Sequence, residues 1–361
     1  MKKIKRRFPK DLIDLHCHKR DLKQRSKTTV RQTMLEAKRG LISISAAMPN
    51  TIEPLTSVPA CTEYHGLQTD AQIEFDLPPQ YLWFGLTDYN PGEFQKALEI
   101  PWILGGKVYP KKDDGTSVTT GTIGVMYDHT ILGAMYMARA VNKAIACHCD
   151  DPYIIARLKG NPIEAEVSYV RKIISLARKV PGVKIIICHV SCIESAMIIL
   201  EAQRQGMQIV LELCPHYLWF DADRTNWNPN IDPVFYKCFN NLRPSKHRLF
   251  LISLLALDNP LIIISSDNAN HTKEEKLLQM LGGLPSNQEM VAVICTLAHQ
   301  LGLSDEQVAN LLSFNASRFL EIPVSNELVE YELEERVDDI QYNNEIVLNP
   351  WNGSKLLFPK N

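Results

Sequence analysis

The stretch KDLIDLHCHKRD, residues 10–21, decides how the rest of the chain is read. A short apolar run leads straight into His16, His18 and Arg20, three polar side chains spaced two residues apart. Successive strand side chains point to opposite faces, so this spacing predicts His16 and His18 on one face and Leu15 and Cys17 on the other. The pattern is that of a polar site at the end of a strand. Similar strand-end signals return further along, at Lys107, His148, His189 and Asp267.

Outward from this stretch, short strands alternate with helical segments. TVRQTMLEAKRG carries Val30, Met34, Leu35 and Ala37 at roughly helical spacing and stops at Gly40. LISISAAMPNT reads as a strand broken at Pro49, with Asn50 in the turn, and residues 52–80 reveal only a helix and a loop. YLWFGLTDY, PWILGGKVYP, KAIACHCDD, VKIIICHVS, MQIVLELCPHYL and PLIIISSDNANH are further strands. Helices are expected near 129–142, 163–179, 194–205 and 246–255. That makes eight strands, several of them near-continuous apolar runs of the kind found in parallel strands covered on both faces. Eight strand-helix units over roughly 260 residues predict an α/β fold, a (β/α)8 TIM barrel. An open doubly wound sheet is the alternative, but it normally has a glycine-rich phosphate loop after its first strand, and HCHKRD is not one. After Leu320 the chain becomes acidic and turn-rich. The expected organisation is therefore a barrel over residues 1–320 and a short C-terminal extension, 321–361, packed on it.

Composition narrows the function classes. The chain has 361 residues, 45% of them hydrophobic, with 39 Lys plus Arg against 41 Asp plus Glu, a formal charge of -2. No overall basic field invites nucleic acid. The opening MKKIKRRF leads into no apolar leader segment, and no run is long and apolar enough to span a bilayer, so a cytoplasmic location is expected. The nine cysteines are scattered without CxxC spacing, which favours reduced thiols over disulfides or a zinc-finger-like site.

In a barrel the C-terminal ends of the strands converge on one mouth, so residues far apart in sequence become neighbours. His16, His18, His148, His189 and Asp267 would gather there, and these are the nitrogen and oxygen ligands that zinc or a similar divalent ion prefers. Each of them alone could simply cap a strand; their joint occurrence at strand ends points to a metal centre. Lys107, after WILGG, would be costly to bury as an ammonium. It is read either as a snorkelling or ion-paired side chain or as an amine converted by carbon dioxide to a carbamate.

These motifs together resemble the dihydroorotases of the amidohydrolase superfamily, from about Asp11 to about Leu320. The matching stretches are DLHCHKR, AAMPNT, GGKVYP, ACHCDD, ICHVS, ELCPHYL and SSDNANH. The resemblance implies two divalent metal ions, zinc being the expected one. His16, His18 and Asp267 would hold one ion and His148 and His189 the other, with carbamylated Lys107 bridging them. It also implies Asp267 as the catalytic proton shuttle, and Arg20, Asn50 and His271 as ligands of a substrate carboxylate; Phe239, in a loop where the chain departs from the family, is read as presenting a bulkier face to the substrate. The implied reaction is reversible hydrolysis of L-dihydroorotate to N-carbamoyl-L-aspartate in pyrimidine synthesis, and a homodimer is expected. The chain departs from the pattern at Asn240 and Asn241, where the family commonly has a proline pair, and at Asn268 and Asn270 within SSDNANH. Alternatives are another cyclic amidohydrolase, a hydantoinase or allantoinase, which Arg20 disfavours, and an inactive dihydroorotase-like structural or regulatory barrel.

Overall fold

A computed structural model describes residues 4–118, 123–343 and 346–360; the first three residues of MKKIKRRF lie outside them. Eight parallel strands follow one another around a single sheet in sequence order. They are β2 (Leu12–Cys17), β3 (Ile42–Ala47), β4 (Tyr81–Gly85), β5 (Ile103–Val108), β6 (Ala144–Cys147), β7 (Lys184–Ile187), β8 (Ile209–Leu213) and β9 (Ile262–Ile264). The circle closes where Cys17 bridges Asn268 and where the His18 N–H donates to the Asn268 carbonyl at 2.8 Å. This is the predicted (β/α)8 barrel.

The near-continuous apolar strands have a simple physical cause, since both of their faces are covered. Ile13, Leu15, Ile44, Ala46, Trp83, Ala144, Ala146, Ile186, Val210 and Ile263 fill the barrel interior. Their strand neighbours Leu82, Phe84, Ile145, Ile185, Ile187, Leu211 and Ile262 pack outward against the ring of helices. At about 25 cal/mol per Å² of apolar surface removed from water, these layers dominate the stabilisation of the fold. The expected helices appear as Val30–Arg39, Asp128–Ala140, Ile163–Ala177, Ile193–Arg204 and Ser245–Leu254. The stretch that revealed little in sequence holds the helix Val58–Phe75, which Ser57 caps by accepting from the Ala60 N–H.

The two-residue alternation expected for the first barrel strand is not kept. His16 and His18 do lie together, with ring centroids 5.3 Å apart. Leu15, however, belongs to the interior layer and Cys17 to the outer one. The pairing of β2 with β3 shifts register between Asp14 and Cys17. Such an irregularity re-aims side chains at a strand end.

The chain ends join in a second, three-stranded antiparallel sheet. β1 (Ile4–Pro9) pairs with β10 (Leu328–Val337), which pairs with β11 (Lys355–Pro359). This sheet is tied to the helix Met290–Leu301 where the Leu357 N–H donates to Thr296 Oγ1 at 2.8 Å. Trp351, fully buried, donates from its indole to the Pro285 carbonyl at 2.8 Å. Among the described residues, no helix is long and apolar enough to cross a membrane.

Candidate active site

A cavity of about 60 Å³ opens at the C-terminal ends of the barrel strands. His16, His18, Arg20, Asn50, His148, His189, Phe239, Asp267 and His271 all line it. Lys107, on β5, is fully buried beneath them. Gly105, at φ +147, lets β5 approach β6, because a Cβ there would lie 1.9 Å from the Ala144 carbonyl oxygen.

At the inner end, His16 Nε2 and His18 Nε2 converge on Asp267 Oδ1 at 3.3 and 3.2 Å. His148 Nδ1 and His189 Nε2 are 2.9 Å apart. Among the described residues, three sets of donor atoms lie close enough to share an ion: His16, His18 and Asp267; His16, Cys188 and Glu212; and Cys214, His216 and Asp267. Burial pushes the pKa of His16, His18 and His189 down, so these rings present neutral nitrogen lone pairs near pH 7. Burial works against the Asp267 carboxylate too, yet its pKa is held at about 2 by the His18 hydrogen bond and the histidines around it. Neutral imidazoles beside an ionised carboxylate are the donor chemistry that a divalent ion requires, and buried His189 Nδ1 has no hydrogen-bond partner among the described residues. The residues present fit a metal centre.

Lys107 Nζ donates to Cys188 Sγ at 2.9 Å and lies 5.2 Å from the centre of the Tyr109 ring. Burial opposes its charge, and Cys188, Tyr109 and Glu212 around it outweigh that effect, raising its pKa. Of those three only Glu212 titrates near neutrality: burial pushes the Cys188 thiol and the Tyr109 hydroxyl far up and Glu212 to about 8. An amine at this depth therefore has little anionic company at neutral pH.

Several residues of the site were not legible in the sequence. Glu212 sits inside the apolar-looking run IVLEL and is buried. Its Oε1 accepts from His16 Nδ1 at 2.8 Å and from the His189 N–H at 2.9 Å, which turns His16 Nε2 toward the cavity. Asp14 accepts from the His16 and Ser266 N–H groups at 3.1 and 2.9 Å, fastening the first barrel strand to the last. Asp150 accepts from His148 Nε2 at 2.9 Å. Neither ring nitrogen of buried His216 has a hydrogen-bond partner, and its Nε2 is 3.9 Å from Asp267 Oδ2. The signal for Glu212 and Asp14 was an acidic residue within a strand otherwise suited to full burial.

The outer end is built from loops. Arg20, Asp21 and Leu22 have φ values of 23, 91 and 49, a run of three non-glycine residues in the left-handed region. That conformation is costly and persists only where the surroundings impose it. Tyr64 donates its hydroxyl to the Lys19 and Arg20 carbonyls at 3.0 and 2.7 Å, and Asp21 accepts from the Val30 N–H at 2.8 Å. Arg20 so placed is 3% exposed, and its buried Nε has no hydrogen-bond partner among the described residues. Asn50 Oδ1 is 2.7 Å from His18 Nδ1, linking the outer end to the inner one. His271 Nε2 meets the Gly282 carbonyl at 3.1 Å. Gly282 packs against the Phe239 ring, which a Cβ would meet at 2.6 Å.

The altered motif positions serve the scaffold. Asn268 Oδ1 accepts from the Ser286 N–H at 2.9 Å, and Asn241 Nδ2 donates to the Asn161 carbonyl at 3.3 Å. Asn270 Nδ2 reaches Glu36 Oε2 at 3.5 Å, and the buried Asn240 carbonyl accepts from Cys238 Sγ at 3.1 Å.

No protein-family model matches the chain. A dihydroorotase of Bacillus cereus (strain B4264) is 30% identical to it over 279 residues, 73% of this chain and 60% of that protein. The chain is a homologue of the cyclic amidohydrolases. It spans 60% of the length of the relatives it matches. Two solved structures show the same barrel. One is the L-hydantoinase (dihydropyrimidinase) of Arthrobacter aurescens, with a TM-score of 0.82 at 18% identity, covering 98% of this chain and 82% of that one. The other is the dihydroorotase of Saccharomyces cerevisiae in complex with 5-fluoroorotic acid, with a TM-score of 0.80 at 19% identity, covering 98% of both chains. The cyclic-amidohydrolase barrel thus accommodates proteins named for different rings.

Proposed function

We propose that the protein is a metal-dependent dihydroorotase, hydrolysing L-dihydroorotate reversibly to N-carbamoyl-L-aspartate. The observation that carries this reading is Arg20, a buried guanidinium whose Nε has no partner in a cavity it shares with His16, His18 and Asp267. An uncompensated buried charge costs several kcal/mol, so the position makes physical sense when an anion completes it. A planar guanidinium meets a carboxylate through two parallel hydrogen bonds, a geometry that lysine lacks. The anion proposed is the ring carboxylate.

His16, His18 and Asp267 would hold one divalent ion, zinc being expected, and His148 and His189 a second, with a carbamate on Lys107 between them. Bound there, such ions supply a hydroxide at neutral pH and polarise the ring carbonyl. A carbamate would remove the buried ammonium and place an anion where neutral Cys188 and Tyr109 now surround it. Asp267, ionised and within reach of both His16 and His18, takes the proton released on attack and delivers it to the leaving ring nitrogen. Arg20, with the Asn50 amide and His271, holds the carboxylate and so fixes which ring carbonyl faces the hydroxide. Phe239 covers the cavity against the Gly282 backbone and excludes water.

The test is an assay of purified protein reconstituted with zinc and bicarbonate. Dihydroorotate and carbamoyl aspartate are run beside hydantoin and allantoin. Turnover of the first pair is expected; good turnover of hydantoin with none of dihydroorotate would move the hydantoinase reading ahead.

A further inference from the structure

The outer end of the cavity holds one more buried cation than this account has used. Lys27, in the loop before the helix Val30–Arg39, is 6% exposed. Its Nζ meets His271 Nδ1 at 3.3 Å and Glu275 Oε1 at 2.9 Å. An ammonium can only donate, so Nδ1 must accept and the ring proton must sit on Nε2. On the other side Nε2 faces the Gly282 carbonyl, which can only accept, at 3.1 Å. These two neighbours select the same tautomer, and the Glu275 Oε2 that would favour a proton on Nδ1 stands further off, at 3.8 Å. Glu275 is itself fixed, because its Oε2 accepts from the Thr272 N–H at 3.1 Å in the capping box of the helix Lys273–Gln279.

We propose that Lys27 is a positioning residue that sets substrate specificity through His271, fixing the Nε2–H tautomer and strengthening that N–H as a donor to a ring carboxylate. The carboxylate in this statement rests on the dihydroorotase reading. Burial first, and then the Arg20 and Lys27 charges, push the His271 pKa to about 3, so the ring is a neutral donor at working pH. A neutral donor is weaker than a charged one, and an ammonium bound to the opposite nitrogen restores part of the difference. Lys27 is ion-paired with Glu275, which leaves the Arg20 guanidinium to meet a substrate carboxylate. His271 and Gly282 both line the cavity, and the incoming carboxylate competes with the Gly282 carbonyl for the N–H.

Zinc-loaded parent, Lys27→Met and Lys27→Arg are assayed on L-dihydroorotate and on 5,6-dihydrouracil, the same ring without the carboxylate. The His271 nitrogens are read by 15N NMR and assigned against His271→Asn. Lys27→Met is expected to raise KM for dihydroorotate roughly tenfold, the worth of one charge-assisted hydrogen bond, with kcat little changed. Dihydrouracil kinetics should not move, Lys27→Arg should recover most of the loss, and the Nε2–H fraction of the parent should fall in Lys27→Met, where the Gly282 carbonyl alone still favours it. Equal losses on both rings, an unchanged KM, or an Nδ1–H tautomer in the parent would overturn the proposal. If the parent does not turn over dihydroorotate at all, the substrate reading fails, and the NMR arm alone decides whether Lys27 sets the tautomer.

Discussion

At the inner end of the cavity His148, His189 and Asp267 stand within three residues after barrel strands and His16 on one, whereas at the outer end Arg20, Asn50, Phe239 and His271 come from the loops that follow. The inner end is fixed by the closure of the sheet itself. Asp14 ties His16 to Ser266, and the Asn268 carbonyl holds the His18 N–H. The outer end is held by contacts reaching across from other segments: Tyr64 under Arg20, Lys27 behind His271, the Gly282 backbone under Phe239. A hydantoinase and a dihydroorotase match this barrel almost equally well, with TM-scores of 0.82 and 0.80. Under the proposed function, selectivity among cyclic amides belongs to the loops and hydrolysis to the strand ends.

Disturbing the inner end should abolish hydrolysis whatever the ring. Dialysis against a chelator is expected to reduce turnover of every cyclic amide to background, and zinc should restore it; activity that survives with no metal by elemental analysis would remove the metal centre from the account. Asp267→Asn keeps the shape and removes the base. Its kcat should fall by roughly 10² to 10⁴ fold at full metal occupancy. Near-parental turnover would show that another group moves the proton.

The inner end also shows why the sequence could be read only in part. His16, His18, His148, His189 and Asp267 were legible because each interrupts an apolar strand at its end, where a barrel brings strands together. Glu212 was hidden because IVLEL reads as buried strand, and its partners His16 and His189 are distant in sequence. Lys27 was hidden because it lies in a polar loop where a lysine is ordinary, and only the fold carries it to His271. The face assignments of Leu15 and Cys17 failed because a register shift, invisible in side-chain periodicity, intervenes between Asp14 and Cys17. Glu212→Gln tests the hidden part. It should weaken metal affinity by roughly 10 to 100 fold, the usual cost of losing a carboxylate behind a ligating histidine. Unchanged affinity in a competition titration would make Glu212 a scaffold residue only.

A smaller effect is expected in a cluster that does not line the cavity, which makes it a control on the comparison. Glu289, Asp338, Tyr342 and Asn349 meet in a buried cluster joining the C-terminal segment to the barrel. Burial pushes Asp338 up to about 6 and Glu289 well above the usual carboxylate range. The folded chain then binds protons that the unfolded chain releases, so this contribution is fully present below about pH 4 and is lost as pH rises through about 6. Asp338→Asn should raise stability at pH 7.5 by roughly 1–2 kcal/mol and change it little at pH 4. Kinetics on every ring should stay at the parental level. A melting temperature with the same pH dependence as the parent would contradict the assignment.

The contrast between the two ends is tested most directly by the ratio of kcat/KM for L-dihydroorotate to that for 5,6-dihydrouracil, measured in the parent and in Arg20→Ala with metal content determined in both. Truncating one partner of a buried, hydrogen-bonded charge pair commonly costs several kcal/mol. The ratio should therefore fall by roughly 10² fold or more through loss on dihydroorotate alone, with the metals retained. An equal loss on both rings, or a ratio unchanged by the substitution, would contradict the assignment of carboxylate selection to the outer end.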